Sequence, residues 1–177
     1  AGLMAEPLAR MGAATTAIDA APENIEAAKA HADAGGLSID YQCIAVEDVA
    51  ATGARYDLIT CLEVVEHVAG RDAFFAALAG LLKPGGLAVF STPNRTPASW
   101  AVVIAGAEHI TRTIPKGAHD WNRFFTPADL ELADGGGKFL HEFLVNALLY
   151  VNAVSANTGL AGVAVLERSD GVGGLLR

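Results

Sequence analysis

The chain alternates between short apolar runs of strand length and longer segments whose apolar residues recur every three or four positions. Residues 15–19, 39–45, 56–61 and 87–92 are of the first kind and are expected as strands. Residues 2–13, with Leu3, Leu8 and Met11 among small residues, are expected as a helix that stops at Gly12. Pro22 stands at a first helical position, ahead of a helix over 23–34 closed by Gly35 and Gly36. A further helix over 72–82 presents Phe74, Phe75, Leu78, Leu81 and Leu82 on one face. Lys83-Pro84-Gly85-Gly86 ends it, because the residue before proline is driven out of the helical region and the glycines permit a tight reversal. Strands alternating with helices imply right-handed crossovers and an α/β, doubly wound, mostly parallel sheet. Beyond residue 130 the pattern weakens: 139–150 reads as a helix with Phe143, Ala147 and Tyr150 on one side, and 163–166 as one more strand.

The candidate chemistry follows the strand over 56–61. Glu63, Glu66 and His67 come next, where the ligand crevice of an open α/β sheet lies, beyond the carboxyl end of a strand. A helical or tight-turn path after Leu62 puts Glu63 and Glu66 three apart on one face, with His67 four beyond Glu63. Two carboxylates and an imidazole suit Mg²⁺, Mn²⁺ or Zn²⁺, whose charge would orient and acidify a substrate hydroxyl. The same residues suit a helix start, with acids favouring the dipole and a histidine capping a turn, and spacing alone leaves both readings open. Asp19 ends a strand, where a carboxylate can accept hydrogen bonds from ribose hydroxyls, although an Asp there is equally an ordinary turn or cap residue.

Composition narrows the partners. With 177 residues, 52% hydrophobic and 18% charged, the chain suffices for one globular domain with a substantial core. A net charge of −8 without a basic stripe argues against nucleic acid. Cys43 and Cys61 both lie in apolar runs and are expected as small core residues in a reducing, intracellular compartment. No signal-peptide pattern opens the chain, and the apolar stretch 139–154 is interrupted by His141, Glu142, Asn146 and Asn152, too polar to span a bilayer. Between 98 and 114, Trp100, Val103, Ile104, Ala107 and Ile110 recur at helical intervals, followed by Arg112, Lys116 and Arg123. That pattern fits docking on an anionic membrane surface, and fits as well a helix packed on the sheet.

Several runs taken together resemble the class I S-adenosylmethionine-dependent methyltransferases. They are Ala1-Gly2-Leu3 leading to Leu8-Ala9-Arg10-Met11-Gly12-Ala13, then Ile18-Asp19, the run from Thr60 through Glu63 and Glu66 to His67 and Val68, and Leu82-Lys83-Pro84-Gly85-Gly86. Ser91-Thr92-Pro93-Asn94-Arg95, Ser99-Trp100, Gly106-Ala107-Glu108 and Pro115-Lys116-Gly117-Ala118-His119-Asp120-Trp121 resemble, within that superfamily, the ubiquinone-biosynthesis O-methyltransferases. The resemblance implies a Rossmann-like sheet and S-adenosylmethionine as methyl donor. It also implies a polyprenyl catechol or demethylubiquinol as acceptor, and a place at a membrane surface or in a quinone-biosynthesis protein complex. The corresponding location is the cytoplasm, peripheral on the inner membrane, or the mitochondrial matrix in a eukaryote.

By the same resemblance Gly2 is the tail of the glycine-rich cofactor loop, Asp19 holds the ribose, Glu47 and Asp48 lie near the adenine, and Leu62 lies beside the methionine end. Glu63, Glu66 and His67 match the positions that bind a divalent ion, most readily Mg²⁺. His119 and Asp120 are candidates for a base pair near the substrate, or for a structural turn held by Lys116 and Gly117. The expected organisation is a methyltransferase domain over 1–130, with a substrate- or membrane-facing insertion at about 96–123, and a divergent segment over 131–177. The strand that precedes the glycine-rich loop in the family is not found in this sequence, which predicts an exposed apolar sheet edge and an inactive fragment or scaffold as one alternative. A methyltransferase of another small phenol is a second alternative. A nicotinamide-binding oxidoreductase would share Asp19 but not the Glu63, Glu66, His67 run.

Overall fold

The computed structural model describes residues 2–126, 129, 140–144 and 162–167. Six strands, β1 (Ala14–Asp19), β2 (Asp40–Cys43), β3 (Tyr56–Leu62), β4 (Leu82–Pro93), β5 (Leu140–Leu144) and β6 (Gly162–Glu167), form one sheet in the order β2-β1-β6-β3-β4-β5. The β1–β2, β3–β4 and β4–β5 pairs are parallel, and β6 runs antiparallel to both its neighbours. Helix α1 (Ala5–Arg10) leads into β1, and α2 (Pro22–Ala34), α3 (Val46–Ala51) and α4 (Arg71–Leu81) connect the first four strands.

The period of two along β1 sends neighbouring side chains to opposite faces. Ala17 packs with Ala5, Ile25, Ala28, Ala32 and Tyr41, so α1 and α2 cover one face. Ile18 belongs to the larger cluster with Val46, Val49, Ile59, Phe74, Leu78 and Leu81, so α3 and α4 cover the other. Apolar cover on both faces is what makes the sheet doubly wound. Within α4 the buried residues Phe74, Phe75, Leu78 and Leu81 form one stripe, and Phe75 meets the rings of Phe74, Phe90 and Phe125 at centroid distances of 5.9, 5.6 and 6.4 Å. Full burial of each such side chain contributes roughly 1.5–3 kcal/mol.

The reversal at Lys83-Pro84-Gly85-Gly86 is realised as a bulge within β4, whose register against β3 jumps from Tyr56↔Leu82 to Leu58↔Leu87. Gly85 has φ of +78°, and a Cβ on Gly86 would stand 3.0 Å from the carbonyl oxygens of Asp57 and Lys83, so both positions call for glycine. Lys83 Nζ bridges back to Asp57 Oδ2 at 3.0 Å.

Four expectations are corrected. The helix expected over 139–150 is replaced at Leu140–Leu144 by a strand parallel to β4; residues 139 and 145–150 lie outside the described ones. A short apolar run is ambiguous between helix and strand, and the open edge of β4 supplies backbone partners that decide for strand. The exposed sheet edge is closed, because β6 fills the gap between β1 and β3, with Ile18↔Val163 and Leu62↔Gly162 in register. Cys61 is a core residue, but Cys43 is exposed, since it is the last residue of edge strand β2. The helix expected over 98–114 is a short α5 (Pro97–Ser99) running into a π-helix, Trp100–Ile110. Its wider i→i+5 turn breaks the 3.6-residue stripe, burying Ala107 while leaving Trp100 48% and Ile110 77% exposed.

Candidate functional site

The sheet reverses direction of growth between β1 and β3, and the carboxyl ends of β1, β2 and β3 open there onto one crevice. A cavity of about 240 Å³ occupies it, lined by Asp19 and Ala20 after β1, by Ala45, Val46 and Glu47 after β2, and by Val64 and Val68 after β3. Asp19 Oδ1 accepts from the Ala21 N–H at 2.8 Å and Oδ2 from Asn24 Nδ2 at 3.1 Å, so this carboxylate caps the approach to α2 and still borders the cavity. Glu47 and Asp48 occupy the exposed first turn of α3, and of the two only Glu47 lines the cavity. Leu62 is the last residue of β3. Gly2 lies apart from the cavity lining, at φ +82°, where a Cβ would stand 2.8 Å from the Tyr41 hydroxyl.

Beyond Leu62 the chain takes a turn instead of a helix, because Glu63 is held at φ +55°. Its N–H donates to the Ser91 carbonyl at 2.9 Å and its Oε1 accepts from Ser91 Oγ at 2.8 Å. Two residues of β4 thus face the acids, for Thr92 Oγ1 donates to Glu66 Oε2 at 3.0 Å. Glu66 is 2% exposed, and its Oε1 has no hydrogen-bond partner. Burial, and then repulsion from Glu63, pushes the Glu66 carboxyl up to about 8, while burial pushes Glu63 up to about 7 against the hydrogen bond from Ser91. His67 is half-exposed, with Nε2 3.9 Å from Glu66 Oε1; burial, and then neighbouring His119 and Arg123, holds its imidazole below the ordinary value.

A buried carboxylate oxygen without a partner, beside a second carboxylate, is chemically suited to a small cation, which would satisfy the oxygen and offset the repulsion. As they stand, no three Asp, Glu, His or Cys side chains among the described residues converge on one point as a metal site. Glu63, Glu66 and His67 therefore share a neighbourhood and a suitable chemistry, without forming a closed shell.

A second cavity, of about 140 Å³, opens over Glu66 and His67 and is walled by Gly117, Ala118, His119, Asp120, Arg123 and Phe124. The rings of His67 and His119 are 6.0 Å apart. Two arginines fasten this wall to the turn below it: Arg123 Nη2 donates to the Val68 carbonyl at 2.9 Å, and Arg71 Nη2 to the Arg123 carbonyl at 2.7 Å, with the Arg71 guanidinium 4.2 Å above the Phe125 ring. Within this wall His119 and Asp120 have separate partners. Asp120 Oδ1 accepts from the N–H and side-chain amide of Asn122 at 2.9 and 3.1 Å, capping the 3₁₀ turn Trp121–Arg123. His119 Nδ1 instead lies 2.9 Å from Oε1 of Glu108, a residue that spacing did not single out, although a lone acid in an otherwise apolar helix is a signal of a buried partner. Ser91 and Thr92 were likewise legible only as a motif, not as partners of the acids.

An α/β sheet with a switch-point crevice bordered by a strand-end Asp, and with an adjacent cavity over a buried acid in the turn after a central strand, defines a ligand-binding fold of the methyltransferase kind. The profile described as "Methyltransferase domain" matches residues 1–90, and the chain belongs to that family. Among curated relatives, a protein named "Ubiquinone biosynthesis O-methyltransferase" from Cereibacter sphaeroides (strain ATCC 17025) is 54% identical over 129 residues, covering 73% of this chain and 52% of that protein. A relative of the same name from Roseobacter denitrificans is 50% identical with the same coverage, and one from Azorhizobium caulinodans is 45% identical over 138 residues, 78% of this chain and 54% of its own length. The chain thus spans about half the length of the curated relatives it matches. A solved structure described as "Conversion of a Disulfide Bond into a Thioacetal Group during Echinomycin Biosynthesis" aligns with a TM-score of 0.58 at 25% identity, over 73% of this chain and 55% of the other.

Proposed function

We propose that the chain forms the core of an S-adenosylmethionine-dependent O-methyltransferase that acts on a prenylated catechol or demethylubiquinol in ubiquinone biosynthesis. The observation that carries this reading is the adjacency of two sites at the carboxyl ends of β1 to β4. One is a cavity with an acid, Asp19, at its rim; the other is walled by the buried Glu66 carboxylate and by the imidazoles of His67 and His119. S-adenosylmethionine supplies an electrophilic methyl group on a sulfonium sulfur, which an oxygen nucleophile takes in a direct displacement.

In this reading Asp19 and Glu47 hold the nucleoside half of the donor, since each carboxylate oxygen of Asp19 keeps a lone pair beyond its capping bond. Gly2, Asp48 and Leu62, which stand outside the cavity lining, are assigned to the donor by family resemblance alone. Glu63, Glu66 and His67 hold a divalent ion, Mg²⁺ by the hardness of the carboxylates, which supplies Lewis acidity at the acceptor hydroxyl. His119, walled into the same cavity as Glu66 and His67, orients the hydroxyl and takes up its proton; Asp120 shapes that wall through its turn.

Exposed Trp100 and Ile110, with exposed Arg112 and Lys116 beyond them, favour docking of this edge on an anionic membrane that carries a polyprenyl substrate. Among the described residues no helix is long and apolar enough to cross a membrane. Calorimetric titration with S-adenosylhomocysteine, with and without Mg²⁺, tests the assignment. Binding that is abolished in Asp19→Ala and followed by methyl transfer to a catechol is expected. Binding equal in the two proteins would overturn the nucleoside site, and binding without transfer to any catechol would overturn the acceptor.

A further inference from the structure

Glu108 is the most completely buried acid of the described chain that the reading above leaves without a role. It is 1% exposed and lies in the π-helix Trp100–Ile110. Its carboxylate gathers three donors from the segment that walls the second cavity. The Gly117 N–H donates to Oε2 at 2.7 Å, and the His119 N–H and ring Nδ1 both stand 2.9 Å from Oε1. A turn with Gly117 at φ +81° and a histidine ring are thereby tied to one anion on a different element.

The protonation of the ring follows from the acceptor. Burial pushes the Glu108 carboxyl up, but the hydrogen bonds from Gly117 and His119 outweigh it and hold the group below the ordinary carboxylate value, so it is ionised near neutral pH. An ionised carboxylate only accepts, and a hydrogen bond to it therefore requires the proton on Nδ1. In the neutral imidazole the other nitrogen, Nε2, then carries the lone pair. With Nδ1 committed to Glu108, Nε2 is the nitrogen left for the cavity that His119 shares with Glu66 and His67. Phe124, edge-on to the ring at 6.0 Å and 77°, limits its rotation.

We propose that Glu108 is a positioning residue: it fixes His119 as the Nδ1–H tautomer and presents Nε2 as a hydrogen-bond acceptor to the hydroxyl of the methyl acceptor. The role rests on the proposed methyl transfer, but its structural content does not. A carboxylate behind a histidine selects the tautomer and orientation in which the far nitrogen can act, as in other carboxylate–histidine pairs.

The test is long-range ¹H–¹⁵N correlation spectroscopy on the chain labelled with ¹⁵N-histidine, with the His119 signals assigned by their loss in His119→Gln. The expected spectrum has His119 as the Nδ1–H tautomer. In Glu108→Ala that pattern is lost to a mixture of tautomers. In Glu108→Gln, where one carbonyl oxygen must serve three donors, the Nδ1–H population falls, and this milder variant keeps the test available should the alanine variant fail to fold. His119 found as the Nε2–H tautomer in the unsubstituted protein, or an unchanged pattern in a folded Glu108 variant, would overturn the proposal. Because the readout needs no turnover, absence of methyl transfer alongside the expected spectra would count against the proposed reaction and leave the Glu108–His119 pair standing.

Discussion

Replacing Glu66 by Gln tests whether the turn after β3 stores an electrostatic cost. Its carboxyl is carried from an ordinary value of 4.5 to about 8, with burial as the leading cause and Glu63 second. In the metal-free chain the folded state therefore keeps a proton that the unfolded state has released between those two values. The sign follows from linkage: the contribution to stability is complete below the unfolded value and is lost as pH rises through the folded one. At roughly 1.4 kcal/mol per pH unit the full cost is about 5 kcal/mol. Part of it has already accrued by about pH 5 and part is shared with Glu63, which leaves about 3 kcal/mol between about pH 5 and about pH 9. Glutamine keeps the volume and an acceptor for Thr92 Oγ1 but has no proton to lose. Urea unfolding in the presence of a chelator, followed by fluorescence of Trp100 and Trp121, should show stability falling more steeply with pH in the unsubstituted chain than in the Glu66→Gln variant, by about that amount. Mg²⁺ in excess should recover part of the loss in the former alone, because a bound cation stabilises the state that binds it. Equal pH slopes in the two proteins would refute the reasoning, and a recovery by Mg²⁺ of the same size in both would refute the assignment of Glu66 as a ligand.

The exposed Trp100 and Ile110 give a second expectation: the double substitution to serine reduces sedimentation with anionic lipid vesicles, while binding that survives it would remove this edge from the membrane reading. Thiol labelling supplies a third. Exposed Cys43 should react with iodoacetamide in the native chain, whereas Cys61, buried and with its thiol pushed up by burial and then by Glu66 and Glu63, should react only on unfolding; two reactive thiols in the folded protein would contradict the placement of β3 in the core.

What the sequence discloses differs by the range over which each feature is decided. Proline at the start of α2, glycines after it and the apolar stripe of α4 are local signals, and those elements fall within a residue or so of expectation. The position of Glu63, Glu66 and His67 after a central strand is legible for the same reason: a buried strand followed by polar residues marks a strand end wherever the strand sits. What those residues touch is not legible. Ser91 and Thr92 meet the acids only because β4 pairs in parallel register with β3, and Glu108 meets His119 across eleven residues through a π-helical segment that has no simple periodic signature. Asp120, adjacent to His119 in sequence, is the partner that proximity along the chain suggests, yet an Asp two residues before an amide N–H closes a local turn more readily than it reaches a neighbour's ring.

The sheet makes the same point at larger scale. The gap between β1 and β3 demands hydrogen-bond partners on both sides but does not specify strand direction, since parallel and antiparallel ladders both satisfy the backbone. β6 meets that demand from a segment that showed only a brief apolar run, and it does so antiparallel, with five residues in register on each side. The site tolerates this because its chemistry is carried by the carboxyl ends of β1, β3 and β4, whose relative positions depend on the width of the filled gap. A strand of either direction sets that width at one inter-strand spacing, about 4.8 Å per neighbour. The crevice between Asp19 and the turn of Glu63 and Glu66 thus needs the gap filled, and the direction of the filling strand matters only to the loops at its ends.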